Sequence, residues 1–296
     1  MDRVTLPTGI ELDVLDVGPR DAPVLIFLHG FPESHRTWRH QIVHLSTRFR
    51  CVAPDQRGYG GSSKPQDPAS YTPDKLVADV FHLADALGID RFTIAGHDWG
   101  GAIAWLVAIL GQHARVDRAI IANAPHPTLF QRLQWTDPVQ RAASQYIRLF
   151  RDTSLDPAIR EHGLMAVLAR AFPPETAGQL LDPDEAPAML ARFADPASAI
   201  AMLNWYRASP IEVPPMEVPF GMEGRSLVPL PALTIPSLVI WGEDDIALPP
   251  ANLNGLADHV ADLVLRRVPG CGHFITWQAP AEVNATIDAF LDPAES

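Results

Sequence analysis

The residues Gly96-His97-Asp98-Trp99-Gly100-Gly101 set an aspartate among glycines, directly after the apolar run Phe92–Ala95 and ahead of a helical pattern. Flanking glycines let a strand turn sharply into a helix and project the residue at the turn above the sheet. A carboxylate there can attack an sp³ carbon and form an ester; on an acyl group it would give only a labile anhydride, which argues against ester cleavage. Standing alone, the same residues would read as an ordinary turn with Asp98 as a helix N-cap.

Two partners follow in the chain. Asp245 comes after the apolar run Ser237–Trp241, and His273 comes after Leu263–Arg267. Enzymes with a nucleophile at such an elbow carry the acid and then the histidine downstream. Asp245 is expected to fix the tautomer of His273. His273, neutral at rest, is expected to deprotonate the water that hydrolyses an ester on Asp98. Glu243 and Asp244 compete for the acid's place, and Asp245 is preferred because it lies nearest the following loop. Upstream, His29-Gly30-Phe31-Pro32 follows Val24–Leu28. A loop there supplies one N–H and the residue after the nucleophile another, so the backbones of Phe31 and Trp99 are the expected oxyanion hole. Pro32 is a position for a cis peptide that aims the loop.

These groups need a scaffold that brings loop ends together. After two N-terminal strands, short apolar runs at Val24–Leu28, Cys51–Ala53, Phe92–Ala95, Ala119–Ala122, Ser237–Trp241 and Leu263–Arg267 alternate with helical patterns after Ser34, around Asp74–Gly88, over Gly100–Leu110 and at Pro280–Leu291. Such alternation predicts a mostly parallel sheet covered by helices, with reactive groups in the loops beyond the carboxyl ends of its strands. From Pro125 to about Leu230 the pattern becomes helical stretches broken by prolines, with a loop-like Pro210–Gly221. The expected division is a first core part at 1–128, an all-helical lid at 129–230 and a second core part at 231–296.

Composition removes several classes of function. The 296 residues suffice for a sizeable core. With 23 Lys and Arg against 35 Asp and Glu, a formal charge of −12, there is no basic surface to follow a phosphate backbone, so nucleic acid is not an expected partner. The longest apolar runs, near Val24–Leu28 and Ala102–Leu110, fall short of the ~18 residues of a membrane span, and no signal peptide is recognisable. Cys51 and Cys271, far apart and in unlike contexts, suit reduced thiols and a cytoplasmic location. His29, His97, His113 and His126 lack the paired spacing of metal ligands, so no metal is expected; His97 and His126 read as pocket-wall or structural residues.

The chain resembles the epoxide hydrolase branch of the α/β-hydrolase fold. The resemblance is carried by HGFPES (His29–Ser34), DQRGYGGSS (Asp55–Ser63), GHDWGG (Gly96–Gly101), NAPHP (Asn123–Pro127) and NWYR (Asn204–Arg207), and it spans core and lid. It implies an α/β fold with a mostly parallel central sheet flanked by helices and an inserted helical lid. It also implies two lid tyrosines that hold the epoxide oxygen and protonate the alkoxide: Tyr206 in NWYR and Tyr146 in SQYIRLF. The chemistry is sound in itself, since a phenol of pKa about 10 stays protonated at neutral pH yet donates readily to an alkoxide. Phe31, Trp99 and Trp205 are expected to bind substrate. The apolar lid residues Trp135, Phe150, Trp205 and Phe220 point to a small hydrophobic epoxide, opened with water and without a cofactor by a monomer or homodimer.

Two other readings stay open. Haloalkane dehalogenases use the same ester chemistry, and Trp99 suits either enzyme. Phe31 where those enzymes more typically carry asparagine, and a tyrosine pair with no task when halide leaves, weigh against that reading. A fluoroacetate-type enzyme would carry arginines where Trp99 and Ala102 stand. A non-catalytic binding protein of the same fold would be expected to lose one of Asp98, Asp245, His273, Tyr146 or Tyr206, and all five are present.

Overall fold

The short apolar runs become an eight-stranded sheet in the order β1-β2-β4-β3-β5-β6-β7-β8, with strands β1 (Asp2–Thr5), β2 (Glu11–Val17), β3 (Val24–Leu28), β4 (Arg50–Pro54), β5 (Phe92–His97), β6 (Val116–Ala122), β7 (Ser237–Gly242) and β8 (Leu263–Val268). The computed structural model describes all residues except 174, 175, 177, 178, 222–228 and 293–296. Strand β2 pairs antiparallel with β1 and β4, and every other pairing is parallel.

Burial follows from position in the sheet. Strands β4, β5 and β7 are buried along their whole length, because helices cover both faces of a parallel sheet and leave no polar side to alternate with. Strand β2 has one helix-covered face, so only its Leu12 and Val14 are fully buried. Strand β8, at the edge, is exposed over its centre. Observed strands run one to three residues beyond the apolar runs, as at His97 and Val116, since ladder pairing continues into residues whose types do not announce a strand.

The helix Pro73–Ala86 buries Leu76, Val77, Val80, Leu83 and Ala84, a stripe at helical spacing against the sheet. The helix Trp99–Gly111 is apolar nearly all round because sheet and neighbouring helices enclose it. After Ser34 the chain makes a 3₁₀ turn, His35–Trp38, before the helix Arg39–Leu45. Two apolar clusters result, one on each face of the sheet, and the lid continues the larger.

The lid starts at Pro127 and runs through the helices Pro127–Thr136, Pro138–Ala143, Gln145–Arg151, Asp156–His162, Met165–Ala171, Ala186–Ala194 and Pro196–Ala208. Prolines that interrupt the sequence pattern sit in the first turn of several of these helices, where their missing N–H costs nothing. Residues 210–221 form no helix, as expected; 222–228 of the expected lid lie outside the described residues. The lid is tied to the core by Arg36–Glu185 at 2.7 Å, by Arg39 with Asp182, and by hydrogen bonds from Trp205 to the Arg57 carbonyl (2.9 Å) and from Asn204 to the Gln66 carbonyl (3.0 Å).

The helix after the elbow packs against the chain leaving β3 so closely that a Cβ on Gly100 would lie 2.3 Å from the Leu28 carbonyl oxygen. Gly100→Ala is therefore expected to lower stability by about 1–3 kcal/mol, read as a fall of several degrees in Tm by calorimetry. An unchanged Tm would mean that the two segments can separate freely.

Candidate active site

Asp98 occupies the turn between β5 and the next helix with φ 51° and ψ −122°, a conformation costly for a residue with a side chain. The sheet on one side and the helix on the other hold it there, and the reward is a carboxylate lifted clear of the strand end. Its Oδ1 accepts the Phe31 N–H at 2.7 Å, and the Trp99 N–H also donates to the carboxylate. The approach of the β3 loop depends on Gly30, whose Cβ would fall 2.4 Å from the Asp98 side chain. The Phe31–Pro32 peptide in this loop is cis, as expected.

His273 stands on the loop after β8 with Nε2 3.5 Å from Asp98 Oδ2 and Nδ1 2.7 Å from Asp245 Oδ2. Asp245 is thus the carboxylate that reaches the imidazole. Its rivals turn elsewhere: Glu243 pairs with Arg267 at 2.6 Å, and Asp244 joins the cavity wall. Asp245 is itself locked, with Oδ1 accepting the Ala247 and Leu248 N–H groups at 2.9 Å each and Oδ2 accepting from Asn123 Nδ2 at 2.7 Å.

Asn123 was not singled out from the sequence as part of the site. It follows β6 at φ 39°, accepts the Gly242 N–H at 2.8 Å, and so joins the ends of β6 and β7 while orienting the acid. The signal was available, because NAPHP begins at the carboxyl end of a strand. His97 and His126 are structural rather than cavity-lining. His97 is buried, with Nε2 2.8 Å from the His273 carbonyl oxygen, and burial holds its pKa down near 4; His126 stacks on His259 with centroids 4.5 Å apart.

The charge on His273 differs from expectation. Burial works to lower its pKa, but the charge and hydrogen bond of Asp245, and then those of Asp98, outweigh it, and the pKa is raised well above 6.5. Lying between two carboxylates favours the protonated imidazole over the neutral one expected from the sequence. For Asp98, burial works to raise the pKa, but the hydrogen bond and charge of His273, with His97 and the Trp99 N–H, leave it lowered. His273 and Asp98 favour each other's charged forms.

Opposite the carboxylate stand Tyr146 and Tyr206, on the helices Gln145–Arg151 and Pro196–Ala208, with ring centroids 6.0 Å apart. Both hydroxyls are pushed above the ordinary phenol range, chiefly by burial and also by the Asp98 charge, so both are protonated. Phe150 packs edge-on to both rings, at 5.2 and 4.9 Å. Phe31 and Trp99 line cavities that reach Asp98.

Trp205 does not line them. It is 1% exposed and fills space behind Trp99, with centroids 6.0 Å apart, so its expected substrate contact is corrected to a supporting one. Trp135, Phe150 and Phe220 are likewise absent from the cavity walls; Phe220 covers the Arg141 guanidinium at 3.7 Å. The apolar walls come instead from Phe130, Ile147, Phe172, Ile211, Leu248 and Phe274. Among the described residues no group of His, Cys, Asp and Glu is arranged to hold a metal ion, and no helix is long and apolar enough to cross a membrane.

Residues 23–280 match the family model of the alpha/beta hydrolase fold, and the chain belongs to that family. Within it, the chain belongs to the epoxide hydrolase branch. A solved structure described as one of the novel epoxide hydrolases from metagenomes of hot environments is 59% identical over 99% of this chain and 98% of its own, with a TM-score of 0.94. An epoxide hydrolase from Bacillus megaterium, solved with an inhibitor, is 28% identical over 98% and 100%, with a TM-score of 0.82. Epoxide hydrolase A of Mycobacterium tuberculosis is 30% identical over 99% of this chain and 98% of its own length.

The electrostatics are open to direct measurement. In a ¹⁵N NMR titration the His273 ring is expected to lose its proton well above pH 6.5, and Asp98→Asn, which removes one flanking charge, should move that loss to lower pH. A wild-type titration at or below 6.5 would contradict the charge assignment.

Proposed function

We propose that the chain, an epoxide hydrolase by family, opens a hydrophobic epoxide to a vicinal diol through a covalent ester on Asp98. The observation that carries this reading is the pair of protonated tyrosines, Tyr146 and Tyr206, facing an ionised carboxylate nucleophile across one cavity wall. A leaving halide would give that pair nothing to do.

In the first half-reaction Asp98 Oδ2 attacks a ring carbon, the carbon–oxygen bond breaks, and the electron pair stays on oxygen, which takes a phenolic proton. Ester formation removes the Asp98 charge, and with it part of what holds the proton on His273. The imidazolium then makes good the phenol's loss and becomes neutral. In the second half-reaction neutral His273, oriented by Asp245 and through it by Asn123, takes a proton from water. The hydroxide attacks the ester carbonyl, whose oxygen is Oδ1, and the Phe31 and Trp99 N–H groups stabilise the oxyanion. The departing alkoxide takes the water's remaining proton. Carboxylate and imidazolium are restored with the diol. Proton and charge balance over the cycle, and the resting charge of His273 has a use. The buried, unpaired thiols of Cys51 and Cys271 support a reducing compartment.

The ester is open to direct detection. Asp98→Asn should abolish diol formation, and His273→Gln should leave a protein heavier by the mass of the substrate. Tyr146→Phe and Tyr206→Phe should each lower the rate of ester formation by about 10²–10⁴. Halide release from chloro- or bromoalkanes without diol from epoxides, or full activity in Asp98→Asn, would remove the proposal.

The pH profile has a defined sign. Asp98 must start ionised and its pKa is lowered; His273 must start protonated and its pKa is raised. The profile of kcat/KM, which reports the free enzyme, should therefore be level across neutral pH, with its acid limb below the ordinary carboxylate range and its alkaline limb well above 6.5. A profile that rises with pH through 6.5 would show instead that the resting histidine must be neutral.

A further inference from the structure

The HGFPES and DQRGYGGSS segments meet at one buried histidine. His29 stands just beyond β3, and Gln56, also buried, stands two residues beyond β4, the neighbour of β3 in the sheet. Gln56 grips His29 twice: its backbone N–H donates to the ring Nε2 at 3.0 Å, and its side-chain amide donates to the His29 carbonyl at 2.5 Å. A backbone N–H can only donate, so Nε2 is the ring nitrogen without a proton and Nδ1 carries it. Nδ1 lies 3.0 Å from the Gly30 carbonyl oxygen and donates to it. Burial lowers the pKa of this ring to about 4, so the neutral form, and with it both ring bonds, persists across neutral pH.

The Gly30 carbonyl and the Phe31 N–H belong to one planar trans peptide and point in opposite directions. On one side the carbonyl accepts from His29 Nδ1 and from the Glu33 N–H, each at 3.0 Å; on the other the N–H meets Asp98 Oδ1 at 2.7 Å. With glycine at one end, this peptide has no side chain of its own to resist rotation, so the bonds to its carbonyl set where its N–H points. They also polarise the peptide and strengthen that N–H as a donor.

The two half-reactions draw on the Phe31 N–H unequally. Alkylation removes charge from the carboxylate, so the bond from Phe31 weakens as the ester forms. Attack of the water activated by His273 concentrates a full charge on the same oxygen, and the bond strengthens. We infer that Gln56 is a positioning residue for ester hydrolysis: by holding His29, it keeps the Gly30–Phe31 peptide turned so that the Phe31 N–H meets the oxyanion. The inference rests on the ester reading above and adds to it a residue outside the walls of both cavities that reach Asp98.

The test separates the two steps by rapid quench and intact-protein mass, using phenyloxirane in single turnovers. Gln56→Met keeps the length of the side chain and the backbone N–H but cannot donate from its end. Ester formation should not slow in this variant, while ester hydrolysis should slow about tenfold or more, against the roughly 10²–10³-fold that loss of a whole oxyanion donor costs. In steady state kcat and KM should fall together and kcat/KM should hold, a split that a general loosening of the loop would not give. In ¹⁵N NMR of the wild-type protein the His29 ring should show a protonated Nδ1 and an unprotonated Nε2, a measurement that stands even if the variant does not fold. Both steps slowed alike, hydrolysis at the wild-type rate, or a proton on His29 Nε2 would overturn the assignment. A wild-type protein that forms neither ester nor diol would instead remove the Asp98 mechanism, and this assignment with it.

Discussion

A carboxylate removed from water is stable as an anion only where other groups replace its hydration, and the architecture around Asp98 answers that constraint. An isolated buried charge costs several kcal/mol and would simply take up a proton. Here the Phe31 N–H at 2.7 Å, the Trp99 N–H and the His273 imidazolium supply what water would have supplied. In the proposed reaction the same donors would serve again, because the N–H groups that hold the resting carboxylate point at the oxygen that would become the oxyanion. Preorganisation for the transition state and stability of the resting charge are one arrangement.

That arrangement requires three separate segments to arrive within hydrogen-bonding distance, and the parallel sheet brings them there. Strands β3, β5, β6, β7 and β8 run in one direction, so the loops bearing Phe31, Asp98, Asn123, Asp245 and His273 leave the same edge. The left-handed turns at Asp98 and Asn123 spend backbone strain to finish the positioning. Asn123 shows how little slack is left: one side chain spans the ends of β6 and β7, bonding Gly242 and Asp245 together.

The lid solves a different problem. In the proposed reaction its two tyrosines must stay protonated and aimed at a point above Asp98, and they are held by aromatic packing in place of a rigid sheet. Phe31, Phe150 and Tyr206 form a contiguous set of rings with centroids 4.9–5.4 Å apart, joining core to lid. Burial and the nearby anion both disfavour a phenolate, so the environment that keeps Asp98 charged keeps the tyrosines neutral.

The sequence by itself determined the elbow, the order of Asp98, Asp245 and His273 after their strands, the strand and helix alternation, and the presence of a helical insertion. Each of these is written locally: in glycines around Asp98, in apolar runs of strand length, and in prolines that open the lid helices. What only the tertiary structure decided depends on neighbours distant in the chain. The pKa of His273 is raised by Asp98 and Asp245, far from it in sequence, so their convergence disfavours the expected neutral imidazole. Trp205 and Phe150 carry the composition of a hydrophobic pocket, yet helix packing turns them into the support behind its walls, while Ile211 and Leu248 become lining. The place of Asn123 beside Asp245 arises because β6 and β7 are neighbours in the sheet, although the whole lid separates them in sequence. Residue type and spacing fix which chemistry the chain can carry out; long-range packing fixes protonation states and which side chains meet the substrate, because field and contact are properties of neighbours in space.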